Sequence, residues 1–176
     1  WLGSAGRVDC SFVDASDRLK MPARGKGGGS ADAPWDEAFG AFAEPLRRLP
    51  PDEIGIIASP KMSNEDLAAL RRLIDLRGIR TVASRVEPRN PGDQDDFLIR
   101  ADKNPNSLGA ELTGLGGDAR LVIEAAGARR LKLLWIFGHD LLAGALAERD
   151  VLEALRVVDT VVFTGSNANW TSAHSH

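Results

Sequence analysis

Ile54-Gly55-Ile56-Ile57-Ala58 is a short apolar run rich in β-branched residues, bounded by Pro50-Pro51 on one side and Ser59-Pro60 on the other. A half-exposed strand alternates apolar with polar, whereas a strand apolar throughout is covered on both faces, as in the interior of a parallel sheet. Parallel strands need crossover connections, and the flanks supply them. Downstream, Ser63 is placed to cap a helix with Glu65 and Asp66 in its first turn and Leu67, Leu70, Leu73 and Ile74 on its apolar face. Gly78 ends that helix, and residues 79–82 read as the next strand. Upstream, Trp35, Ala38, Phe39, Phe42 and Leu46 fall at helical spacing, with Asp36 and Glu37 at the favourable end of the dipole. Pro50-Pro51 stops this helix just after Arg48.

The second half repeats the pattern. Residues 121–126 read as a short helix, residues 131–137 as a central strand, and Gly138-His139-Asp140 as the turn at its carboxyl end. Residues 141–147 and 151–157 read as helical turns, interrupted near Asp150, which is placed to cap the second. Residues 160–163 form a further strand that ends in Gly165-Ser166-Asn167. Strands alternating with helices predict an α/β fold, a doubly wound and mostly parallel sheet with flanking helices. Residues 35–176 constitute that domain, and residues 1–34 are an irregular segment preceding it. Within them, Arg24-Gly25-Lys26-Gly27-Gly28-Gly29-Ser30 reads as a mobile surface hairpin. It lacks the preceding strand and following helix that a phosphate-cradling loop requires.

At 176 residues the chain is one domain or a lobe of a larger one, and 43% apolar with 27% charged residues is ordinary globular usage. The net charge of −3 comes from interspersed acids and bases, so no electropositive face for nucleic acid is expected. No apolar run approaches the ~20 residues that cross a bilayer, and no signal-peptide core opens the sequence, so it reads as cytosolic. Cys10 is alone, which excludes a disulfide framework, a Cys-x-x-Cys knuckle and a cysteine set for an iron-sulfur cluster within this segment. It reads as a buried small hydrophobe.

One connection stands out. Connections in α/β units run about 2–6 residues, yet Asp102-Lys103-Asn104-Pro105-Asn106-Ser107-Leu108-Gly109-Ala110-Glu111-Leu112 is a long polar loop between two apolar strand candidates. Asn104-Pro105-Asn106 forces a turn in it. Ligands of open α/β sheets bind beyond the carboxyl ends of the strands. Candidate ligand-binding residues are therefore Asn104, Asn106, Gly138, His139, Asp140, Gly165 and Asn167, beside the turn Ser59-Pro60-Lys61. His139 as a base or metal ligand needs a partner among Asp140, His174 and His176, and the bland alternative is a turn residue capping a helix or meeting solvent. No catalytic or metal-ligating set is expected. His174-Ser175-His176 reads as a solvated tail, and Lys61 and Lys103 as surface charges. Trp135 reads as core, and Trp170 as a lid over the sheet or half of an interface.

The segment from Phe97-Leu98-Ile99-Arg100 through Glu111-Leu112 resembles one in the large iron-sulfur subunit of respiratory NADH:quinone oxidoreductase, complex I. Further stretches resemble that family in matching order. They are Trp1-Leu2-Gly3 through Arg18-Leu19-Lys20-Met21-Pro22, then Trp35-Asp36-Glu37-Ala38, then Ala58-Ser59-Pro60 with Asn64-Glu65-Asp66-Leu67. The resemblance implies that subunit's molybdopterin-oxidoreductase-like domain, a cofactor-free structural module that contacts other subunits of the peripheral arm. It implies a place on the cytoplasmic side, peripheral to the inner membrane, with iron-sulfur clusters upstream and no direct membrane insertion. Gly3 stands where some members have a cluster cysteine. After Thr171-Ser172-Ala173 the family continues into another strand. The alternative is a pterin-binding part of a molybdopterin-dependent oxidoreductase such as a formate dehydrogenase. Such enzymes often grip their pterin with a Gly-x-Asn-Pro turn, where this chain has Gly138-His139-Asp140-Leu141.

Overall fold

The computed structural model describes residues 15–25, 31–87, 89, 92, 94–98 and 100–176. The expectations for Trp1-Leu2-Gly3, for Cys10 and for the glycine tract at 26–30 lie outside these residues. The flanks of that tract, β1 (Ala23–Arg24) and β2 (Ala31–Asp32), pair antiparallel.

The decisive run forms β3 (Ile54–Ile57), buried at every position. It pairs in parallel with β4 (Thr81–Ala83) on one side and β5 (Leu133–Phe137) on the other, and β6 (Thr160–Thr164) adds beyond β5. The result is a four-stranded, all-parallel sheet in the order β4-β3-β5-β6. Alternation along β3 and β5 sends side chains into two cores. Ile54, Ile56 and Leu133 meet Leu46 of α1 (Trp35–Arg48) and Leu67, Leu70 and Ile74 of α2 (Asn64–Arg77). Ile57, Leu134 and Ile136 meet Val122 and Ile123 of α4 (Ala119–Gly127) and Val151 and Leu155 of α5 (Glu148–Val157). Each such fully buried Ile or Leu contributes roughly 1.5–3 kcal/mol of transfer free energy.

The α2 caps form as the sequence predicts: the Ser63 side chain accepts from the Asp66 amide, and Gly78 adopts φ 70°. Other expectations change. The strand after Gly78 begins at Thr81, because the Ile79 amide closes back on Ile74 and the side chain is buried in the core. Helix α4 starts at Ala119, before residue 121, because Asp118 accepts from the Arg120 amide. No helix forms over 141–147, since the Leu141 amide donates to Thr171 Oγ1 and the Ala145 amide to the Glu87 carbonyl. Helix α5 is capped at Ala147, which places Asp150 inside its first turn. The long loop is partly helical, with α3 at Ser107–Leu112. Residues 97 and 98 form a bend with Phe97 94% and Leu98 79% exposed. The last element is α6 (Trp170–Ala173). The tail after it is not a free solvated end: the His176 amide donates to the Val161 carbonyl of β6, and the Val161 amide donates to His176 Nδ1.

Candidate functional site

The chain leaves β3, enters β4 on one side, and returns to place β5 on the other. This makes the gap between the carboxyl ends of β3 and β5 the point where the winding reverses, the usual ligand position of the architecture. His139, one residue beyond the turn glycine of β5, reaches across the end of β3 toward β4. Its Nε2 lies 2.9 Å from the carbonyl of Ala58 and 3.1 Å from that of Ser84, the residues that directly follow β3 and β4. Carbonyls only accept, so Nε2 carries the proton and donates to both. Burial of the ring pushes its pKa below the usual imidazole value, and the positive charge of Lys61 adds to this, against the two carbonyl acceptors. The ring is therefore a neutral donor bridging two strand ends. The chain reaches this geometry through Gly138, whose φ of 60° is left-handed and whose amide donates to the Thr164 carbonyl.

Beside this bridge, a cleft of about 800 Å³ opens over β5 and β6. Its floor and wall are apolar: Trp135, Phe137, Phe163, Leu70 and Leu73. Its rim carries Ser59, Lys61, Asp66, Thr164, Ser166 and Asn167. The cleft exists because α1 and α2 cover β3 and only part of β5 on this face. Phe42 of α1 packs against Trp135 with ring centroids 4.4 Å apart and planes tilted by 59°, and the Phe137 ring centroid also lies 4.4 Å from that of Trp135. The indole is fixed by its Nε1 donating to Thr164 Oγ1 at 2.9 Å.

Backbone donors around the rim are largely committed within the chain. The Ser59 amide meets Met62 Sδ and the Lys61 amide meets Ser59 Oγ. The Ala168 amide goes to the Asp17 carbonyl and the Asn169 amide to Ser172 Oγ. Residues before the domain also close this edge, since the Leu19 amide donates to the Ser166 carbonyl and Asn167 Nδ2 to Asp17. The loop from 102 meets the first strand-to-helix turn. The Asn106 amide donates to Pro60, and its side-chain amide to the Met62 carbonyl and to Asn64 Oδ1.

Of the predicted site residues, Gly138, Gly165 and Asn167 come together on the cleft. Asn106 braces its rim from behind through Met62. Asn104 stays in a local turn on Asp102, whose carboxyl is held below the ordinary value first by the Ser107 hydroxyl and then by the Asn104 amide. Asp140 accepts from the Leu142 amide and does not line the cleft. His139 neither caps a helix nor points to solvent, because the strand-end carbonyls hold it. Trp135, expected in the core, is half-buried and lines the cleft. Trp170 is 66% exposed and is not among the lining residues, so it is no lid over this cleft. The cleft carboxylate is Asp66, which the helix-start pattern marked only as a dipole partner. Among the described residues no cluster of His, Cys, Asp and Glu is arranged to hold a metal ion, and no helix is long and apolar enough to cross a membrane.

No protein-family model matches the chain. It is 40% identical over 55 residues to the F420-dependent formate dehydrogenase 1 subunit alpha of Methanococcus maripaludis, a stretch covering 31% of this chain and 8% of that protein. It is 36% identical over 67 residues to the F420-dependent formate dehydrogenase 2 subunit alpha of the same organism, covering 38% of this chain and 10% of that protein. The matched segment thus spans a tenth or less of these relatives. The chain is similar in part to oxidoreductase subunits.

Proposed function

We propose that this chain is a cofactor-free structural domain of a multisubunit oxidoreductase, of the molybdopterin-oxidoreductase-like kind carried by the large iron-sulfur subunit of NADH:quinone oxidoreductase. Electron transfer would run through iron-sulfur clusters upstream, and the domain would pack against other subunits of the peripheral arm on the cytoplasmic side. The partial similarity to oxidoreductase alpha subunits supports the general class. The observation that carries the structural role is His139 bridging Ala58 and Ser84, because it ties the turn after β5 to the ends of its neighbours with the protein's own side chain.

The residues around the cleft fit a pterin dinucleotide poorly. Its pyrophosphate needs several cations or free amides, whereas the charged side chains lining the cleft are one cation, Lys61, and one carboxylate, Asp66. The amides of Ser59, Lys61, Gly138, Ala168 and Asn169 are already bonded within the chain.

The second reading is a pterin-binding part of a molybdopterin-dependent enzyme. The partial likeness to formate dehydrogenase alpha subunits favours it. In that case Asn104, Asn106, Gly138, His139, Asp140, Gly165 and Asn167 would contact the cofactor. Molybdenum and pterin analysis of the purified full-length protein separates the two. The structural reading expects neither at stoichiometric level, and stoichiometric molybdenum with extractable pterin would establish the second.

A further inference from the structure

We draw no further inference here: the strongest candidate, the aromatic-floored cleft over the carboxyl ends of β5 and β6, belongs to the site already described, and nothing in the structure shows what covers the sheet face that α1 and α2 leave bare beneath it.

Discussion

The Nε2 atom of His139 lies 2.9 Å from the carbonyl oxygen of Ala58, a residue 81 positions earlier in the chain. Through the same nitrogen it also reaches Ser84, so one neutral imidazole ties the turn after β5 to the ends of β3 and β4. His139→Ala would leave both carbonyls to find water or remain unpaired. A loss of about 1–3 kcal/mol in urea denaturation is expected. A loss no larger than that of a surface substitution would show that the bridge does not hold the strand ends.

The same residue predicts a pH dependence with a definite sign. The folded-state pKa of His139 is depressed, mainly by burial. At pH above about 6.5, the ordinary imidazole value, both folded and unfolded rings are neutral and the contribution is complete. As the pH falls below that, the unfolded ring takes up a proton that the folded ring resists, so stability declines until the depressed value is reached. Denaturation midpoints measured from about pH 7 to about pH 5 should therefore fall more steeply for the parent than for His139→Gln, which cannot titrate. Parallel curves would remove His139 as the source.

Much of the fold could be read directly from residue patterns. Ile54-Gly55-Ile56-Ile57 announced a strand covered on both faces, and Ser63 and Gly78 announced both ends of α2, because local caps and apolar runs act within a few residues. What escaped depended on distant partners. The segment at 141–147 is helical by composition, yet Thr171 and Glu87 take its amides, and neither is near in sequence. His139 looked like a turn residue because nothing local reveals that Ala58 and Ser84 will sit beside it. Trp135 looked like core because its strand is apolar throughout, and only the incomplete cover by α1 and α2 turns it into a cleft wall. The candidate positions at Gly138, Gly165 and Asn167 were recoverable from topology alone, since strand ends converge in any such sheet.

Gly109 tests how the long loop is fastened. A Cβ at this position would collide with the side-chain oxygens of Asn106 and Asn64, the pair that clasps α3 to the first strand-to-helix turn. Gly109→Ala should cost about 1–3 kcal/mol, the usual range for overpacking. Hydrogen exchange should show the Asn106 amide, bonded to Pro60, losing protection in that variant. Unchanged protection would place the clasp elsewhere.

Thr171 tests the docking of α6. Its buried hydroxyl accepts from the Leu141 amide at 2.8 Å. Thr171→Val keeps the shape and removes the acceptor, leaving a buried amide unpaired, so a loss of about 1–3 kcal/mol is expected by thermal or chemical denaturation. Thr171→Ser should retain most of the stability. Equal behaviour of the two variants would argue against this hydrogen bond.

The central claim is that the turn after β5 is tied by the protein's own imidazole to the residues that follow β3 and β4, and holds no cofactor. A density map of the intact full-length protein at near-atomic resolution examines it most directly. The account predicts the His139 ring against the carbonyls of Ala58 and Ser84, with no pterin over Gly138 and Gly165. A pterin seated there, with His139 swung away from those carbonyls, would contradict it.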